Sequence, residues 1–285
     1  MLTTVDPVKI KPELLRVPAK EAKYLLKNVA KLYNDGTMNI FNFKYKIYKN
    51  RGGLEPQKQK ELPYIIPKTK SALEQYVADD RSVRRTHTLI TDYVKINDFN
   101  LFVNITFDPS KIDTKNDYAV AKAFKIWLQN QKRLNPTFEY LAVPERHKNG
   151  AIHFHCLFMG YPDKKLKRAL NNKISSPYYG LPLIDKSGRP VYNLTSYKLG
   201  LNDVTYITNK EATSYYVRKY ITKDLALNII NSKRFWASHG LRKPEKVENL
   251  PLDLYVMADD LPQRSQGTFD MYTRPQVSYV PPTSH

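Results

Sequence analysis

The chain has 285 residues, 41% of them apolar, enough for one large domain or two small ones. Lys and Arg number 46 against 27 Asp and Glu, and the excess lies in residues 1–250, because 251–285 hold two Arg against four Asp. So basic a chain, with 21 Tyr, expects a polyanionic partner, nucleic acid first, while one cysteine (Cys156) excludes an internal disulfide framework or a cysteine zinc cluster, and no apolar run reaches the ~18–20 residues of a membrane span.

Met1–Asp6 has neither a basic nor an apolar leader region, so no signal peptide is expected. Residues 8–35 read as a basic, helix-prone stretch ending at Asn34-Asp35-Gly36, and 39–48 alternate well enough for a strand. Residues 49–70, with Gly52-Gly53, three prolines and many lysines, read as a linker. A helix is predicted from near Ser71 to about Val94, broken by Asn97-Asp98. Leu101–Phe107 is a strand, and Asp117 to about Arg133 is an amphipathic helix ended by Asn135-Pro136. Phe138–Pro144 and Ala151–Met159 form an antiparallel hairpin across Asn149-Gly150, where glycine supplies the positive φ of a tight turn. Residues 160–209 read as a mixed insertion with several turns, and Ala212 to about Asn231 as a helix. After Pro244 regular structure is expected to fade into a Pro-rich, mobile tail that could be trimmed without loss. The resulting division is a basic N-terminal region (1–80), a core (81–245) and a tail (246–285). The chain carries no G-x-x-x-x-G-K-[ST] sequence and so no recognisable ATP-driven motor.

Two constellations carry chemistry. In Ile152-His153-Phe154-His155-Cys156, side chains alternate, so His153 and His155 share one face while Ile152, Phe154 and Cys156 point to a core. Glu145 lies across the turn and folds back beside the pair. Two imidazoles and a carboxylate could hold a divalent ion with positions left for a phosphate oxygen, Mg²⁺ or Mn²⁺ before Zn²⁺. The competing reading is two partly exposed histidines at a strand edge, with His147 a solvated turn residue. The second constellation is helical: Tyr216 and Tyr220 stand four apart, and Lys219 and Lys223 each follow a tyrosine by three, giving Tyr-Lys-Tyr-Lys along one side, with Tyr215 packing elsewhere. A phenol can attack phosphorus, but its ordinary pKa near ~10 calls for nearby cations. The competing reading is an amphipathic helix with solvated lysines.

Together these residues resemble the HUH endonucleases, specifically the two-tyrosine rolling-circle replication initiators of small phages and plasmids. Phe102-Val-Asn-Ile-Thr-Phe-Asp108 resembles their first motif, Glu145 with His153-Phe154-His155 the metal motif, and Tyr216-x-x-Lys-Tyr220-x-x-Lys the nucleophile motif. Arg234-Phe-Trp-Ala-Ser-His-Gly-Leu241 resembles a basic-aromatic block of phage replication-associated proteins. The likeness spans roughly 81–245. It implies an α+β fold, a central antiparallel sheet with helices packed on one face and the first motif beside the H-x-H strand. It implies a metal-dependent nickase and strand transferase acting on single-stranded or hairpin origin DNA through a 5′-phosphotyrosine, with a host helicase and polymerase, in a bacterial cytoplasm. A glutamate in place of a third histidine favours an initiator over a mobilisation relaxase or a transposase. A DNA-binding regulator without catalysis is the rival class. The basic stretches at 8–35 and 71–94 and the Arg234 block are the expected DNA-holding surface.

Overall fold

A computed structural model describes residues 26–47, 72–172, 174–209, 212–213, 215, 230, 233–257, 259–265 and 269–276. The chain divides into two compact units, Lys70–Arg242 and a second drawn from both flanks, Met1–Thr69 with Lys243–His285. Each unit is built on one antiparallel sheet, so the fold is α+β.

The larger unit holds α1 (Ala72–Ile96), β3 (Leu101–Ile105), α2 (Asp117–Leu134), β4 (Glu139–Arg146), β5 (Ile152–Met159), β6 (Leu166–Arg168), β7 (Tyr192–Leu194), β8 (Asn202–Tyr206) and β9 (Trp236–Ala237). These strands form a seven-stranded sheet in the order β6-β7-β8-β3-β5-β4-β9. The expected neighbours are adjacent: β3 pairs with β5, Asn104 opposite His155, and β5 pairs with β4, Glu145 opposite His153. Apolar, β-branched and aromatic residues make these strands because they fit a pleated surface buried on both sides. Gly150 holds the hairpin turn at φ 89°, and its N–H donates to His147 O at 2.8 Å.

Helices were expected on one face of this sheet, yet they cover both. On one side Val120, Phe124, Trp127 and Leu128 of α2 pack on Phe107, Phe154 and Phe158, with the Phe124 and Phe154 rings stacked at 4.1 Å. On the other, Val83, Ile90, Tyr93 and Val94 of α1 pack on Leu141, Val143 and Leu157. The reason is local: β4 and β5 carry consecutive apolar residues (Leu141-Ala-Val143, Cys156-Leu-Phe158) instead of alternating ones, and neither face can be left wet. Both helix ends read from the sequence have physical stops. Asn116 caps α2 by accepting from Ala119 N–H, and Lys132 and Arg133 sit in its last turn, where the helix dipole favours cations. Asn97 ends α1; fully buried, its amide donates to the carbonyls of Tyr93 and Arg242 and its Oδ1 accepts from Arg242 N–H.

The smaller unit corrects two expectations. It holds β1 (Leu26–Leu32), β2 (Thr37–Ile47), β10 (Glu245–Glu248), β11 (Arg264–Ser265) and β12 (Phe269–Pro275), ordered β10-β1-β2-β12-β11. The stretch expected as helix up to Tyr33 is thus a strand over Leu26–Leu32: Asn28, Ala30 and Leu32 are buried in alternation with Lys27, Val29 and Lys31. Pairing on both sides, with β2 and β10, overrides the helix propensity of its lysines. Residues beyond Pro244, expected as an irregular tail, supply three of the five strands, and Val247, Leu250, Tyr255 and Tyr272 help bury Ala30, Met38 and Ile40. Their register is set by partners more than 200 residues away, which no local pattern announces.

Candidate functional site

The face of β3, β5, β4 and β8 that α1 covers at one end turns polar at the other. Leu141 and Val143 lead along β4 to Glu145, and Leu157 leads back along β5 to His155 and His153. Asn104 and Asp203 stand beside them on β3 and β8, paired in register. The strand period puts all of these side chains on one face.

The contacts form a line. Asn104 Nδ2 donates to Asp203 Oδ2 at 2.7 Å, which makes Asn104 Oδ1 the acceptor for His155 Nδ1–H at 2.6 Å. With its hydrogen on Nδ1, a neutral His155 ring has its lone pair on Nε2, and that atom faces Glu145 Oε2 at 2.9 Å. Two acceptors meet at that distance only with positive charge between them, either a proton on Nε2 or a cation. His155 is 8% exposed and stacks on Phe102. Burial raises the Asp203 carboxyl above its ordinary range, against the opposing pull of the Asn104 hydrogen bond and of His155.

His153, directly opposite Glu145 in register, stacks on His147 with ring centroids 3.5 Å apart. Burial, then the neighbouring His147 and His155, lowers its pKa to about 4, so its ring is neutral at pH 7. Among the described residues no three His, Cys, Asp or Glu side chains are gathered tightly enough to hold a metal ion. Of the three expected ligands, Glu145 and His155 are in contact, and His153 shares their face while its ring rests on His147. The donor chemistry of the Glu145–His155 pair, a carboxylate oxygen and an oriented imidazole lone pair, fits a small cation. Cys156 is fully buried on the opposite face, where burial pushes its thiol well above the ordinary range, so it is packing.

Tyr216, Lys219, Tyr220 and Lys223 lie outside the described residues. The start of their segment is described. Asn209 Oδ1 accepts from Ala212 N–H at 2.9 Å as a helix cap, and Ala212, Thr213 and Tyr215 are helical. Tyr215, expected to pack, is 69% exposed. Ile230 is bridged to Lys233, so the helix expected to reach Asn231 ends before Ile230. A cleft of about 540 Å³ has Phe102, Asn104, Asp203 and Thr205 as its floor, Arg189 on its rim, and Ala212 and Thr213 in its wall. The cleft therefore adjoins both the His155 line and the start of the tyrosine segment.

Sequence reasoning missed Asn104, Asp203 and the His147 stack. A signal for Asn104 was present: it is the one polar residue in the strand Leu101-Phe-Val-Asn-Ile105, at a position a buried sheet would otherwise fill with an apolar side chain. Among the described residues no helix is long and apolar enough to cross a membrane. No curated protein and no solved structure matches the chain. Residues 100–225, which include β3, the hairpin histidines and the tyrosine segment, match the replication-associated protein family of the ORF2 type, and this likeness supports a replication-initiator type of protein with a role in replication initiation.

Proposed function

We propose that the chain is a nickase and strand transferase of rolling-circle replication, acting on single-stranded or hairpin origin DNA of a phage or plasmid in a bacterial cytoplasm. The observation that carries the reading is the oriented line Asp203–Asn104–His155–Glu145, inside the matched span and open to the cleft that leads to the tyrosine segment. The phenol oxygen of Tyr216 or Tyr220 attacks the scissile phosphorus; the phosphorus–O3′ bond breaks, a P–O bond to tyrosine forms, and the departing 3′-oxygen takes up a proton. The 5′ end stays on the enzyme, and the 3′-hydroxyl primes synthesis by host polymerase behind a host helicase. Attack by a later 3′-hydroxyl reverses the step and frees the tyrosine. Lys219 and Lys223 lower the cost of phenolate and phosphorane charge. A divalent ion, Mg²⁺ or Mn²⁺, held by Glu145, His153 and His155 would supply positive charge to the phosphate oxygens. Asn104 and Asp203 hold the His155 ring so that its Nε2 lone pair stays on the Glu145 side.

A DNA-binding protein without catalysis is the second reading, favoured by the His153 ring lying on His147. One experiment separates the two. Oligonucleotides tiled over the element's own genome are incubated with Mn²⁺ and the protein is boiled in detergent. A covalent protein–DNA adduct that the Tyr216→Phe/Tyr220→Phe double variant cannot form supports the nickase; an adduct still formed by that variant, or none formed by the wild type on any tile, defeats it.

A further inference from the structure

A second concavity of the larger unit, about 860 Å³, lies at the edge of its sheet, away from the Glu145 line. Its cations come from two elements: Lys125 and Lys132 from α2, Lys233 and Arg234 from the segment that enters β9. Phe235 and His239 line it as well, and none of the described residues that line it is acidic. Glu139 beneath it pairs with Lys132, and the lining stays net basic. Lys125, Lys233 and His239 are exposed. The strand β9 at this edge is only two residues long, so the groove runs beside a sheet edge too short to recruit another strand. Tyr140, which lines the groove, and Glu145 point to opposite faces of β4 and are five residues apart, roughly 17 Å along a strand rising ~3.4 Å per residue. The groove is thus a separate place from the proposed chemistry.

We propose that this groove is a second nucleic-acid contact, which takes the phosphodiester backbone of single-stranded DNA on Lys125, Lys233 and Arg234 and its bases against Phe235 and His239. Cations alone would hold any polyanion. Rings interleaved with them favour a strand whose bases are unpaired and free to stack. The choice of DNA rests on the replication-initiation reading; the charge and ring arrangement does not. In function, the groove would hold the strand at a distance from the nick while the tyrosine link is made and broken.

The test is fluorescence anisotropy of the full chain with a labelled oligothymidylate, in chelator so that no cleavage intervenes, over a range of salt. Each single-strand phosphate deprived of its cation takes ~0.7 from the slope of log affinity against log salt, so Lys125→Gln/Lys233→Gln/Arg234→Gln should flatten it by about 2 and weaken binding on the order of 100-fold at 0.1 M salt. Lys125→Glu/Lys233→Glu, confined to exposed side chains, gives the same direction should the triple variant melt early. Wild-type slope and affinity in a variant with a wild-type melting temperature would overturn the groove. Equal losses on a blunt duplex of the same length would overturn the single-strand assignment. A wild type that never nicks, with binding still lost in these variants, would remove the initiator reading and leave the groove standing.

Discussion

Asn104 shows how one side chain sets the chemistry of another. Its amide gives a hydrogen to Asp203 and so can only accept from His155, which fixes the imidazole hydrogen on Nδ1. In Asn104→Ala, a largely buried Asp203 loses its donor and His155 its acceptor. The expected cost is about 1–3 kcal/mol in denaturant unfolding, with Mn²⁺ affinity by calorimetry falling roughly 10–100-fold. Unchanged metal affinity in a folded Asn104→Ala protein would show that His155 needs no orienting partner. The histidines themselves were legible because a strand has period two. The direction of the His153 ring was not, because the turn residue His147 that captures it belongs to a hairpin loop whose side-chain placement no periodicity encodes.

At the scale of elements, the legible pieces were those with local punctuation. The helix α2 announced itself through Asn116 at its start and Asn135-Pro136 at its end, and the β4–β5 hairpin through Asn149-Gly150. What lacked such signals was misread: β1, rich in lysine, resembles a helix until β2 and β10 are known to flank it. The short edge strand β9 is tied to the sheet differently. Ser238 N–H donates to Tyr140 O at 3.0 Å and Tyr140 N–H to Ser238 Oγ at 2.9 Å, and Gly240 passes so close to Glu139 that a Cβ there would lie 2.0 Å from Oε1. Gly240→Ala must therefore displace the buried Glu139 from Lys132. We expect a loss of about 2–4 kcal/mol, read as a lower denaturation midpoint with unchanged m-value, from an overpacked and uncompensated buried charge. A midpoint within error of wild type would mean that this edge yields freely.

At the scale of the molecule, the smaller unit is closed by chain from both flanks of the larger one. The joint is specific. The buried Asn28 amide donates to Leu250 O at 2.9 Å and accepts from Leu250 N–H at 2.6 Å, while Asn249, at a φ of 52° that asparagine tolerates, donates its N–H to Asn28 O. Removal of residues 243–285 deletes β10, β11 and β12 and leaves both outer edges of the β1–β2 hairpin unpaired. Light scattering and size-exclusion chromatography of that truncation should show self-association, whereas the seven-stranded unit retains its own cores. A monodisperse truncation would show that the small sheet does not need these strands. The sequence left this association unread because its two halves are separated by the whole larger unit.

The same nesting imposes an order on synthesis. While the ribosome is still adding the residues from Lys243 on, every strand of the seven-stranded sheet has been made, yet β1 and β2 have only each other. Lys27, Lys31 and Lys44 are carried on that waiting hairpin, where like charges discourage a second nascent chain from adding a strand. One of these guards then changes role: once β12 arrives, Lys44 closes on Asp270 at 3.1 Å, so the charge that kept strangers away becomes part of the lock for the strand that belongs there.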